Sequence, residues 1–326
     1  MRDAIGRWLM IASLFAAPGQ AELVRFFSGN DTDVKPKLHG PCLILAGGGT
    51  DQDEAMQAAI DGVRGCKDCD TKLDVAVLRV SGADGYNPGF MGLKGVNSVV
   101  SFVITDRASA EREDVARAVR NAEIVFFAGG DQCNYVRWIK GTRTSEAVKN
   151  VYKRGGAIGG TSAGLAIQGQ IAYDACPNQS AQSKDVLLDP YSDDVSLSYD
   201  FFNWPNMGRT ITDTHFSQRD RMGRLLVFMA RAFAQEERRI EGLGISEATV
   251  LLVDGKGSGR VFGKGPVHVI FEEKKPEVIQ RAIPLTARGF KIWRFESGET
   301  IDLRRTPPRA PKIIDVVKGK LSADPY

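Results

Sequence analysis

Residues 155–169 read Gly-Gly-Ala-Ile-Gly-Gly-Thr-Ser-Ala-Gly-Leu-Ala-Ile-Gln-Gly. Apolar Ala157–Ile158 leads into Gly159–Gly164, and small or apolar residues continue to Ile167. That order describes a buried strand, a very tight turn, and a helix beginning near Ser162. The turn fits G-x-S-x-G, with Gly160 and Gly164 flanking Ser162. A serine on such a strand-to-helix turn is held in a strained backbone with its hydroxyl exposed. The first amides of the following helix then face whatever the hydroxyl attacks. Glycine is required because only a residue without Cβ lets strand and helix approach so closely. Ser162 is therefore a candidate nucleophile.

The surrounding pattern places that turn in a parallel sheet. Pro41–Ala46 is a continuous apolar run, as expected for a strand buried on both faces. Further strands are read over Asp74–Val80, Ser98–Thr105, Glu123–Ala128 and Thr210–His215. Helical patterns fall over Asp53–Val63, Ala110–Asn121, Ser145–Arg154 and Ser217–Glu237. Alternation of this kind predicts an α/β fold, a parallel sheet with helices on both faces, whose ligands bind at the carboxyl ends of the strands. The turns at Gly47, Gly129 and Ser162 all lie at that edge. Gly47-Gly48-Gly49-Thr50 after the first strand suggests a dinucleotide fingerprint, but Gln52 stands where its third glycine belongs and no P-loop lysine follows. From about residue 245 to 305 the pattern changes to short β runs, a β-rich C-terminal part of the same domain. The polar segment 22–40 reads as a surface arm, and Tyr173–Asn206 as an irregular pocket rim.

Residues 1–21 have the layout of a secretory signal peptide: Arg2 and Arg7, an apolar run from Trp8 to Ala17, then small residues before Ala21. The run is too short to span a bilayer. This predicts a secreted or periplasmic protein, with residues 22–326 as one domain. A formal net charge of +3 gives no reason to expect nucleic acid or a membrane surface as a partner. Five cysteines leave at least one unpaired. Cys66 and Cys69 have metal-ligand spacing, but nothing nearby completes a zinc site, so a local disulfide is expected instead, and neither metal nor cofactor.

A serine nucleophile needs a base and a group that orients the base. The chain has three histidines. His39 precedes the first strand, on the wrong side of the sheet. His268 sits in the alternating run Val267–Ile270 and is expected on a strand surface. Only His215 falls at the carboxyl end of a strand in the α/β part. Farther on, Arg219, Arg221 and Arg224 lie within six positions, a credible carboxylate clamp because guanidinium forks match carboxylates bidentately.

Ala128-Gly-Gly-Asp-Gln132, Gly160-Thr-Ser-Ala-Gly164, Asp213-Thr-His-Phe-Ser-Gln-Arg-Asp-Arg-Met-Gly-Arg224 and Gly244-Ile-Ser-Glu-Ala-Thr249 together resemble the cyanophycinases, in the serine peptidase family that also holds the aspartyl dipeptidases. The resemblance runs in order over roughly residues 40–305. It implies a fold like the class I glutamine amidotransferases and a homodimer. It implies that Ser162 attacks, His215 is the base and Glu247 orients it, with an oxyanion hole near Gly130 and Ala163. It further implies a pocket of Gln132, Asp213, Thr214, Arg219, Arg221 and Arg224 for a β-aspartyl peptide. At position 214 the family usually has Gln, which bears on substrate recognition. The residues themselves leave Asp213 open as the orienting acid, because positions i and i+2 of a strand share a face. The reading is thus an isoaspartyl-cleaving serine exopeptidase, with an acidic-peptide-binding protein or a small-molecule amidase as alternatives.

Overall fold

The computed structural model describes residues 23–176 and 180–326. The leader reading of residues 1–21 lies outside them. The strands are β1 Val24–Gly29, β2 Cys42–Ala46, β3 Leu73–Arg79, β4 Val96–Val103, β5 Ile124–Phe127, β6 Ala157–Thr161, β7 Ile171–Tyr173, β8 Leu197–Tyr199 and β9 Thr210–Asp213. They continue with β10 Ile240–Ile245, β11 Thr249–Asp254, β12 Ser258–Gly263, β13 Val267–Glu272, β14 Val278–Gln280, β15 Ile283–Phe295, β16 Thr300–Asp302, β17 Lys312–Val317 and β18 Lys320–Leu321.

The first sheet has the order β1-β4-β3-β5-β6-β2-β11-β12-β16. Its centre, from β4 to β2, is parallel, and the flanking strands are antiparallel. Alternation along each central strand divides two cores. Leu43, Leu45, Val125 and Phe127 pack under Val115, Val119, Val148 and Val151 of helices Glu113–Asn121 and Arg143–Lys153. Ile44, Val75, Val77 and Phe126 pack under Met56, Ala59, Ile60 and Val63 of helix Asp53–Arg64. Helices therefore cover both faces, as continuous apolar strands require.

Thr210–Asp213 does not extend that sheet. It belongs to a second one, ordered β18-β17-β15-β13-β10-β9-β7-β8, with β14 on β15. There β7, β9 and β10 run parallel and β13, β15 and β17 antiparallel. Helix Met222–Glu236 packs Leu225, Leu226 and Met229 onto its inner face. The two sheets meet where the His215 N–H bonds Gly47 O (2.7 Å), and the chain itself passes from the second sheet to the first between β10 and β11.

Other expectations shift. The arm contains β1, which closes the edge of the first sheet against β4. The irregular rim contains β8. Strands continue past residue 305 in β17 and β18. His268 is not on a surface; it is fully buried, between Phe216 and Tyr326. The alternating pattern around it was read as half-exposed, but helix Met222–Glu236 and the segment around Tyr326 cover that face. Burial, reinforced by Arg294 and Lys312, pushes its imidazole down to about 4.

Candidate active site

β6 delivers Ser162 to the carboxyl edge of the first sheet at φ 53° and ψ −117°, a backbone conformation costly for a residue with a side chain. The flanking glycines are there for space. A Cβ on Gly160 would run into the Gly164 carbonyl, and one on Gly164 into the Phe127 carbonyl. The loop after β5 closes the other side, with the Cβ direction of Gly129 3.5 Å from the Ser162 Cβ. Gly130 follows at φ 142°. Ala163 is the first residue of the short helix Ala163–Ala166, so its amide has no partner within that helix.

His215 comes to the serine from the second sheet. It follows β9 by two residues and adopts φ 47°. Its Nε2 lies 2.8 Å from Ser162 Oγ and its Nδ1 2.6 Å from Glu247 Oε1. With the carboxylate at Nδ1, the proton sits there and Nε2 accepts from the hydroxyl. Burial holds the imidazole below its ordinary value, and the charges of Arg219 and Arg221 push the same way, against the hydrogen bond to Glu247. Neutral imidazole is the form able to take a proton.

The Gly47–Gly49 turn, which suggests a phosphate loop in sequence, shapes this pair instead. Gly47 O accepts from the His215 amide and Gly48 O from the Ala248 amide (2.8 Å). A Cβ on Gly48, at φ 99°, would stand 2.5 Å from His215 Nε2. One on Gly49, at φ 76°, would stand 3.2 Å from the Glu247 Cβ. Gln218 Oε1 accepts from the Glu247 amide at 2.9 Å. These supports were not anticipated. The triple glycine was their one sequence signal, and Gln218 had none.

The peptidase family S51 model matches residues 97–260, half of the 326-residue chain, a span that holds the serine, the histidine and the glutamate. The chain belongs to peptidase family S51. The cyanophycinase of Synechococcus elongatus is 28% identical over 177 residues, 54% of this chain and 50% of that protein. That of Trichormus variabilis is 28% identical over 214 residues, 64% of this chain and 66% of that protein. The matched part thus spans about half to two thirds of these relatives' length. The crystal structure of a peptidase from an acI-B1 Actinobacterium superposes with TM-score 0.50 at 16% identity, over 82% of this chain and 98% of that one. It shares the fold.

Within this S51 chain the three arginines differ sharply. The helix expected from Ser217 begins only at Met222, so Arg219 and Arg221 lie in the turn before it. Arg224, 2% exposed, donates Nε (2.8 Å) and Nη2 (2.5 Å) to the two Asp213 oxygens, and Nη1 to Ser180 Oγ (2.9 Å) and Ala181 O (3.2 Å). Its guanidinium also lies over the Tyr173 ring at 5.0 Å. Arg224 and Asp213 are thus spent on each other. That removes Asp213 as the orienting acid and makes Arg224 a strut under the site, not part of an open clamp. Arg221 gives Nη1 to Thr214 O and Thr214 Oγ1, both at 2.9 Å, and burial pushes it down to about 10. Arg219 is half exposed, its Nε 3.6 Å from Glu247 Oε1.

Gln132 opens helix Gln132–Ile139, half-buried, after Asp131, whose side chain caps that helix at the Cys133 amide. Cys133 is joined to Cys176, 43 residues on, which ties this helix to the chain just after β7. That bridge had no local signature, unlike the Cys66–Cys69 pair, which is also joined. Cys42 is free and buried, its thiol pushed up to about 12 by burial. Among the described residues no group of three or more His, Cys, Asp or Glu is placed to hold a metal ion, and no helix is long and apolar enough to cross a membrane.

Proposed function

We propose that this S51 chain is a serine peptidase that hydrolyses β-aspartyl bonds through an acyl-enzyme. The observation that carries the reading is the continuous chain Ser162 Oγ, His215, Glu247, at 2.8 and 2.6 Å. His215 Nε2 takes the hydroxyl proton as Oγ attacks the scissile carbonyl. The Gly130 and Ala163 amides hold the oxyanion, worth on the order of 10²–10³ in rate per donor. His215⁺, steadied by Glu247, then hands the proton to the leaving amine. Water, deprotonated by the same imidazole, attacks the acyl-enzyme and frees Ser162.

The substrate class is argued from charge. Arg219 and Arg221 stand beside the triad, a pair suited to a carboxylate next to the scissile bond. Thr214 is already bonded to Arg221, so at this position main-chain recognition passes to the arginine. The cyanophycinases among the relatives favour a cyanophycin-related substrate. Incubating the protein with cyanophycin, β-Asp-Arg, β-Asp-Leu and α-linked Asp-Leu, with products identified by mass spectrometry, tests the reading. Cleavage of the β-linked compounds alone is expected. Ser162→Ala should lower kcat by about 10⁴ or more while the protein stays folded. A variant retaining a tenth of the wild-type rate would exclude Ser162 as nucleophile.

A further inference from the structure

The segment Phe216–Arg221 carries Arg219 and Arg221 and begins next to His215, and its far end is held from elsewhere in the chain. Helix Met222–Glu236 starts at an N-cap, Arg221, that makes no side-chain capping bond. An N-cap normally satisfies one of the first amides with its own side chain. Arg221 cannot do so, because a guanidinium carries donors and no acceptor; it donates to Thr214 instead. Ser183 Oγ takes the Arg224 amide in that place (3.0 Å), and the first amide, that of Met222, is held from 104 residues away. Tyr326 Oη accepts from the Met222 amide at 2.9 Å and donates to Asp220 Oδ1 at 3.1 Å. Asp220 itself sits at φ 47°, a conformation that needs holding. The Tyr326 ring stands edge-on to Phe216 (6.1 Å between centroids) and to His268 (5.8 Å). Phe216 in turn fits where Gly244 has no side chain.

We infer that Tyr326 is a positioning residue for the arginine-bearing turn. Its ring fixes Phe216, and through it the start of the turn at His215. Its hydroxyl fixes Asp220 and Met222, and between them the backbone of Arg221. One hydroxyl thus acts as donor on one side and acceptor on the other. The expected kinetic consequence rests on the β-aspartyl reading above, whereas the structural consequence does not.

Tyr326→Phe keeps the ring and removes both hydrogen bonds, so the variant should fold. Hydrogen exchange followed by mass spectrometry should show faster exchange confined to peptides covering 216–222, with the melting temperature held. On β-Asp-Leu, KM should rise about five- to tenfold, the scale of one or two lost hydrogen bonds, with kcat within about twofold. Asp220→Ala should reproduce part of the effect and add little on top of Tyr326→Phe. Unchanged exchange in 216–222 would overturn the inference, as would a fall in melting temperature with KM unmoved. Should the wild type leave β-aspartyl peptides intact, the exchange measurement still decides the question.

Discussion

The two halves of the site are built in opposite ways. The nucleophile's half is local: within Gly160–Gly164 each glycine makes room for its own neighbourhood, and the strain at Ser162 is held by strands β5 and β6 beside it. The base's half is assembled from afar. His215 is held by Gly47 and Gly48, oriented by Glu247, and stands beside a turn supported by Arg224, Ser183 and Tyr326. A strained local turn needs only a rigid sheet around it. A histidine on the rim of a second sheet needs each distant contact to stay in register. The base half should therefore be the more fragile under substitution outside the triad.

The largest effect is expected at its deepest contact. Arg224→Ala leaves the Asp213 carboxylate buried with only the Thr214 amide (2.8 Å) and a 3.8 Å approach of Arg221. Breaking one partner of a buried pair costs about 3–5 kcal/mol. Urea denaturation should show that loss, while Arg219→Ala, at a half-exposed side chain, stays within about 0.5 kcal/mol. A loss below about 1 kcal/mol for Arg224→Ala would mean that the base half does not hang on this pair.

Gly48→Ala sharpens the comparison because it removes no catalytic group. The added methyl would occupy space taken by the His215 ring, at a backbone φ that disfavours any side chain. The imidazole must move, and a displacement of about 1 Å costs on the order of 10² in rate. Kinetics should therefore show kcat/KM down by about a hundredfold, with Ser162 still in its strained turn. Near-wild-type turnover would mean that the Gly47–Gly49 turn does not seat the base.

The same contrast explains what could be read in the sequence. Much of what is local was legible: the Ser162 turn, the central apolar strands, the longer helices of the first sheet and the Cys66–Cys69 pair. His215 was reached by elimination, because a strand end is a local property too. What eluded the reading depends on which distant segments meet. The second sheet draws β7, β9 and β10 away from the first, and no periodicity marks that division. The role of Gly48 was not legible because its actual neighbour, the His215 ring, lies 167 positions on. Arg219, Arg221 and Arg224 looked equivalent because six positions of sequence do not say where the turn ends and the helix begins. Glu247 and Asp213 could not be separated on spacing alone; the bidentate Arg224 contact separates them.

The smallest expected effect concerns the charge of the base. kcat/KM on its acid limb reports protonation of His215 in the free enzyme. Because burial and the neighbouring arginines lower that group, the limb should lie below the ordinary imidazole value, and activity should persist into mildly acidic buffer. Arg219 is the open contributor: it lies near Glu247 and opposes protonation of the ring. Replacing it by Gln removes a positive charge without removing the burial. The folded-state value then rises and the limb moves to higher pH, so at a fixed acidic pH the variant is the less active one. Arg219 is also half exposed, so its influence passes through solvent and is screened with a Debye length of about 10 Å at 0.1 M salt. The separation between wild type and Arg219→Gln should accordingly shrink as salt is raised, whereas the downward displacement caused by burial should remain in both. pH profiles at low and high salt distinguish the two contributions. A limb that moves to lower pH in Arg219→Gln would show that the guanidinium acts mainly by holding Glu247 against the ring, since losing that hydrogen bond opposes protonation.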